Sequence, residues 1–336
     1  MQQAKIVVTS RIHAAVRDRL ACEHDVVCND TTLPWTPEKL ADEAHDAHAL
    51  MVFMPDRISR ETLDACPRLR VVAGALKGYD NLDRNACTER GVWLTNVPDL
   101  LTVPTAELAV GLTIALTRNV MAGDQHVRSG VFAGWRPSLY GLGLAEATVG
   151  IVGMGAVGQA ITERLKGFAP KVVYADPHPL TKERETQLGA QPVSMDELLA
   201  TSDIVVLAIH LIEMTMHTID KDALRQMKPG SYLINPGRGS LVCETAVADA
   251  LDSGHLAGYA ADVFEMEDWA RADRPRSIDR RLLDDQARTV FTPHLGSATQ
   301  KARFDIEMSA ATNILEALAG RRPPDAVNDV ARRRGR

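Results

Sequence analysis

The chain has 336 residues, 45% of them hydrophobic and 24% charged, with a net charge of −6 and a pI near 5.9. That length fits two domains of ordinary size, and the apolar fraction can build a large core. The acidic balance gives no reason to expect nucleic acid or an anionic membrane as partner, and no run of about 18 apolar residues suggests a membrane span. Five scattered cysteines, Cys22, Cys28, Cys66, Cys87 and Cys243, form neither a CxxC metal pair nor a disulfide framework. They read as reduced thiols of a cytoplasmic protein, with no metal. The N-terminus leads straight into an apolar run without a signal-peptide pattern, and Arg332, Arg333, Arg334 and Arg336 read as a solvated tail.

Taken in chain order, short apolar runs predict strands at Ile6–Val8, Val26–Val27, Ala49–Met54, Val71–Leu76 and Val92–Leu94, with helix-length stretches between most of them. Runs without period-2 alternation fit parallel strands covered on both faces. After Val97-Pro98-Asp99, residues Thr105–Val127 predict one long helix. Pro104 stands at its start, Glu107 in its first turn, and Leu108, Leu112 and Leu116 along one face. A second strand set is expected at Thr148–Val152, Val172–Ala175, Ile204–Ile209, Tyr232–Ile234, Leu256–Val263 and Val290–Phe291. A final helix is expected over Ala298–Leu318.

The run Val149-Gly150-Ile151-Val152-Gly153-Met154-Gly155-Ala156-Val157-Gly158 holds GxGxxG at Gly153, Gly155 and Gly158, between a strand and a helical stretch, Gln159–Leu165. The pattern alone is weak, but in this setting it predicts a pyrophosphate held on a helix N-terminus. The next strand ends at Asp176, about 18 residues past Gly158, where an acid accepts from ribose hydroxyls and repels a 2′-phosphate. NAD is therefore expected over NADP, although Lys182 and Arg184 lie close by in sequence. Because this fingerprint follows five strand-like segments, the N-terminal part should be a separate domain. The last helix should pack back on that domain, with an active site in the cleft between the two.

Three polar residues each follow an apolar run: Arg238, Glu267 and His294. Each alone could be an ion pair or a structural group; their joint position at the ends of strands, where ligands bind such sheets, argues for a site. The segments Asn235-Pro236-Gly237-Arg238-Gly239, Asp262-Val263-Phe264 with Glu267, and Thr292-Pro293-His294-Leu295-Gly296 resemble the signatures of D-2-hydroxyacid dehydrogenases, over nearly the whole chain from Lys5 to about Leu318. The resemblance implies two doubly wound α/β domains. A Rossmann NAD-binding domain, residues 100–296, would be inserted into a flavodoxin-like substrate domain, residues 1–99 and 297–336. It also implies a homodimer. Arg238 would bind the substrate anion, His294 would be the acid/base, and Glu267 would hold His294 and raise its basicity. The further cofactor contacts implied are Lys77, Thr105, Ala156, Val157, Pro177, Ile209, His210, Pro236, Gly237, Asp262 and Gly296. Ile212 stands where family members commonly carry a proline. The chemistry is sound in itself: histidine exchanges protons near neutrality, a carboxylate stabilises its imidazolium, and arginine offers a fork to an oxyanion.

Within that family the chain looks more like the phosphite dehydrogenases. The matching segments include Phe53-Met54-Pro55-Asp56, Ala75–Asn81, Pro98–Glu107, Gly134-Trp135-Arg136-Pro137 and Gly258–Pro275, in which Asp268 and Trp269 replace the usual proline after the catalytic Glu. Lys77 stands where hydroxyacid members usually have a small residue. Phosphite carries more charge on a more compact body than a hydroxy acid, and Lys77, Arg238 and Arg303 could neutralise it. Met54, Leu101, Trp135, Tyr140 and Ser297 would shape the pocket by the same resemblance, although Met54, Leu101 and Trp135 read equally well as core. The expected reaction is phosphite plus NAD+ plus water to phosphate plus NADH. Whether Arg238 or His294 activates the water is left open. The rivals are a glyoxylate, hydroxypyruvate or lactate enzyme and, more remotely, a formate dehydrogenase or a dinucleotide-sensing corepressor on the same fold.

Overall fold

Among the described residues there are twelve short strands, and their apolar side chains alternate between two covered faces, which is why the sequence runs look continuously hydrophobic. The computed structural model describes residues 3–97, 99–269 and 271–330. Pro98, Ala270 and the arginine tail expected to be solvated lie outside them. The first unit holds β1 (Lys5–Val8), β2 (Asp25–Cys28), β3 (Ala49–Val52), β4 (Val71–Gly74) and β5 (Trp93–Thr95), all parallel in the order β2-β1-β3-β4-β5. Ile6 and Val8 pack with the helix Gln300–Leu318 on one face, while Val7, Leu50 and Val72 join the cluster on the other. This is the flavodoxin-like order.

The second unit holds β6 (Thr148–Val152), β7 (Lys171–Ala175), β8 (Ala190–Pro192), β9 (Ile204–Leu207), β10 (Ser231–Asn235), β11 (Leu256–Ala261) and β12 (Thr289–Phe291), parallel in the order β12-β11-β10-β9-β6-β7-β8. Its connections reverse between β6 and β9, the doubly wound pattern with a switch point at β6. The first unit extends to Leu101 and resumes at Ala298; Trp269–Ala272 groups with it, and Thr102–Asp268 with Asp273–Ser297 form the second. Among the described residues no helix is long and apolar enough to cross a membrane.

Two expectations change. The long helix predicted over Thr105–Val127 is two helices, Thr102–Thr117 and Val120–Arg128, separated by Asn119 at φ 51°. The break has a tertiary cause: Leu142 N–H donates to Thr117 O (2.9 Å), and Gly141 passes so close that a Cβ there would fall 2.0 Å from the same oxygen. The earlier start also removes Glu107 from the first turn; it faces Arg164 at 3.5 Å instead. The short strand β8, missed in the sequence, is an edge strand, where its proline is tolerated.

The segment after the last helix closes the outer edge of β5. Val327 N–H donates to Leu94 O, and the buried Asn328 side chain accepts from Leu94 N–H (2.8 Å) and donates to Val92 O (3.0 Å). Asn328→Ala leaves both backbone groups unpaired, so a loss of about 2–4 kcal/mol is expected. Faster amide exchange at Leu94 and a lower Tm check it; unchanged protection of that amide would contradict the role given to Asn328.

Candidate active site

The turn after β6 is shaped by its glycines. Gly153 sits at φ 92°, and a Cβ there would lie 2.5 Å from Ile209 Cγ2 and 2.7 Å from Ala208 O. At Gly158 a Cβ would be 2.2 Å from Gly153 O, so the helix Ala156–Leu165 can pack on its strand only with glycine there. Gly155 is exposed with open space around it, as a phosphate-approaching backbone requires, and Ala156 and Val157 open the helix whose free N–H groups point the same way. The partly buried Asp176 accepts from Met154 N–H through Oδ2 (2.7 Å) and from His178 N–H through Oδ1 (2.8 Å). Its carboxylate is thereby aimed at the glycine turn, beside an exposed Pro177. The open backbone at Gly155 with an acid at the end of β7 fits an adenine dinucleotide without a 2′-phosphate.

Ile209 and His210 follow β9, and Gly237 follows β10. A Cβ on Gly237 would stand 3.5 Å from Ile209 O, so Gly153, Ile209 and Gly237 are neighbours. His210 is exposed, and its carbonyl accepts from Thr215 Oγ1 (2.7 Å). Pro236 is buried beside them. Arg238 is half-buried, its backbone carbonyl fixed by Asn235 Nδ2 (2.8 Å) and its Nη1 donating to Gly237 O (2.9 Å).

His294 lies on the loop after β12. Asp262, 1% exposed at the end of β11, accepts from Thr292 Oγ1 (2.5 Å), Leu295 N–H (2.6 Å) and Gly296 N–H (2.7 Å), while its own carbonyl accepts from His294 N–H (2.8 Å). Burial raises the Asp262 pKa, with those hydrogen bonds and His294 opposing. His294 itself adopts φ 57°, an uncommon conformation for a residue with a Cβ. Its Nδ1 stands 2.7 Å from Glu267 Oε2, and Glu267 Oε1 accepts from Phe264 N–H (2.8 Å). One carboxylate oxygen is thus pinned to backbone and the other holds the imidazole, leaving Nε2 for chemistry. Gly296 completes the loop against Thr105, whose Oγ1 would be 3.2 Å from a Cβ there, and Ser297 follows, half-buried.

The loops of Arg238 and Glu267 are locked together by contacts that sequence reasoning missed. Gly239 touches the Phe264–Glu265 backbone so closely that a Cβ would fall 1.9 Å from Phe264 C. Ser240 N–H donates to the buried Asp268 (2.6 Å), the residue that replaces the usual proline. Glu265 accepts from Glu244 N–H (3.2 Å) and contacts His217 Nε2 (2.6 Å), and Glu244 accepts from Glu265 N–H (2.7 Å). Only the buried, reciprocal pairing gives these acids a role, and no spacing rule encodes it.

The remaining expected residues divide. Lys77, Met54, Leu101 and Arg303 belong to the first unit and are all half-buried there. Burial lowers the Lys77 pKa, with Asp99 opposing. Trp135 and Tyr140 lie in the second unit at 76% exposure each, so neither is core.

Burial, with Glu265 and Asp268 nearby, lifts the Glu244 pKa to about 7. Between the ordinary carboxylate range and about pH 7 the folded chain holds a proton that the unfolded chain releases, so stability falls as pH rises through that window. Glu244→Gln removes this penalty. The Tm of the variant relative to the parent is expected to rise from about pH 5 to about pH 8, reflecting a few kcal/mol. A pH-independent difference would contradict it.

Residues 110–296 match the family described as D-isomer specific 2-hydroxyacid dehydrogenase, NAD binding domain. A glyoxylate reductase of Pyrococcus furiosus is 39% identical over 296 residues, 87% of this chain and 85% of that protein. A glyoxylate reductase from Paecilomyes thermophila superposes with a TM-score of 0.83 at 27% identity, covering 97% of this chain and 99% of the other. The D-lactate dehydrogenase of Escherichia coli gives 0.80 at 27% identity, covering 96% and 100%.

Proposed function

From the premise that the chain belongs to the D-isomer specific 2-hydroxyacid dehydrogenase family and binds NAD, we propose that it reduces a small 2-oxo acid of the glyoxylate type to its 2-hydroxy acid. The observation that carries this reading is the His294–Glu267 contact at 2.7 Å beside the Arg238 loop. The relatives named glyoxylate reductase support it. Bound nicotinamide is the hydride carrier. Arg238 offers its fork to the substrate carboxylate. His294 gives the Nε2 proton to the carbonyl oxygen as the alcohol forms, and Glu267 stabilises its imidazolium beforehand and fixes the ring.

Phosphite oxidation is the second reading, and it rests on one observation. Lys77 and Arg303 of the first unit are both half-buried, and with Arg238 they bring more positive charge than a monoanionic acid calls for. There His294 would take a proton from the water whose oxygen bonds to phosphorus, as the P–H hydrogen departs with its electron pair. Purified protein with NADH and glyoxylate, and separately with NAD+ and phosphite, distinguishes the two by nicotinamide absorbance. Glyoxylate-dependent NADH consumption is expected, with kcat lowered about 10²–10⁴-fold in His294→Asn. Phosphite turnover without glyoxylate turnover would replace the first reading by the second.

The protein is further proposed to act as a homodimer. Val127, Val131, Phe132, Trp135 and Tyr140 form an apolar run at 50–76% exposure in one segment of the second unit, more than an isolated surface favours. Phe132→Glu with Trp135→Glu is expected to shift the sedimentation coefficient from dimer to monomer; a monomeric parent protein would sink the idea.

A further inference from the structure

In the first unit the connections diverge between β1 and β3, the kind of switch point outside which ligands bind in open α/β sheets. His13 follows β1, Phe53 follows β3, and Arg303 and Glu307 lie one turn apart on the helix Gln300–Leu318. Glu307 is 3% exposed. Its Oε2 accepts from His13 N–H (2.9 Å) and stands 2.7 Å from His13 Nδ1, and the His13 ring packs edge-on against Phe304. Its Oε1 faces Arg303 Nη2 at 3.8 Å, beyond hydrogen-bond reach.

Arg303 is the anomaly. Its side chain is 28% exposed and its guanidinium lies 5.6 Å from the Phe53 ring centroid, yet among the described residues the guanidinium has no hydrogen-bond acceptor. Arg164, with the same 28% side-chain exposure, donates to Ala160 O (3.0 Å) and faces Glu107 at 3.5 Å. A guanidinium has five N–H donors in a planar fork, and partial desolvation without an acceptor is unfavourable. Arg303 also sits near the start of its helix, where the dipole disfavours a cation. Burial lowers its pKa, with Glu307 opposing. A carboxylate at bonding distance would fill the fork and cancel its charge. At 3.8 Å, with Oε2 taken by His13, Glu307 orients the guanidinium without capping it.

We propose that Glu307 and His13 are positioning residues: Glu307, anchored by His13, aims the Arg303 fork over Phe53 at one oxyanion of a compact substrate. The inference deepens the functional reading above and rests on its premise that the substrate is such an anion, whether a carboxylate or a phosphorus oxyanion.

Steady-state kinetics with glyoxylate and NADH, and with phosphite and NAD+, identify the source of the oxyanion. Calorimetric titration of oxalate into the protein with NADH reads binding apart from turnover. Glu307→Gln is expected to raise the KM of whichever anion is turned over, and the oxalate Kd, about tenfold, the scale of one charge-assisted hydrogen bond. The KM of the nicotinamide should stay within about twofold. Arg303→Ala should do the same or more, and the double variant should be no worse than Arg303→Ala alone. Added guanidinium ion should rescue Arg303→Ala but not the double variant. Should Glu307→Gln fold poorly, His13→Gln carries the same expectation. Unchanged oxalate affinity in both Glu307→Gln and His13→Gln, additive effects of Arg303→Ala and Glu307→Gln, or no oxalate binding by the parent protein would overturn the proposal. If the parent protein turned over neither substrate, the functional reading would fall while the oxalate titration still decided the role of Glu307.

Discussion

Asp262 sets the reactive loop. Its carboxylate is removed from water at the end of β11, which disfavours the charged form, and three donors from residues 292–296 surround it in compensation. Those donors draw the loop after β12 tightly around one point, and His294 is held in its left-handed conformation as a result. Backbone strain of about 1–3 kcal/mol persists only where surrounding contacts over-determine it. Without Asp262 the histidine would relax, and its 2.7 Å contact with Glu267 would go with it. The resemblance implies a cofactor contact for Asp262, and its hydrogen bonds to Thr292, Leu295 and Gly296 also make it the frame on which the His294 loop is built.

The same logic governs the Arg238 side. The chain fixes the backbone on either side of Arg238, through Asn235 before it and through the Gly239 contact and the Ser240–Asp268 bond after it. Behind that bond, Glu244 and Glu265 exchange backbone hydrogen bonds across two loops. Buried acids are acceptable here because each finds backbone N–H donors, and one of them reaches neutrality near pH 7.

The parallel strands were legible in the sequence because both faces of each sheet are covered, so strands such as Ile204–Leu207 are apolar throughout. The glycine turn was legible because its steric demands allow no other residue at Gly153 and Gly158. The break at Asn119 was not, since Leu116 to Val120 keeps a helical pattern and the interruption comes from a loop more than 20 residues later. Arg238, Glu267 and His294 stood out through motif resemblance, whereas Glu244, His217 and Asp268 act through contacts between loops far apart in sequence. Trp135 and Tyr140 show the limit of resemblance alone: the pocket role it gave them says nothing of how exposed they are within one chain.

Histidine paired to a carboxylate recurs at His13, His217 and His294, with contacts of 2.7, 2.6 and 2.7 Å. Distance therefore does not separate reactive from supporting pairs; environment does. The Glu307 and Glu265 side chains are 4% and 9% exposed and also accept backbone N–H groups from neighbouring segments, so their histidines serve as struts. The Glu267 side chain is 28% exposed, its backbone bond is local, and its histidine sits on strained backbone, its Nε2 without a partner among the described residues. In the proposed reaction a proton enters and leaves that pair, which requires access and an open ring nitrogen; the other two need only hold still.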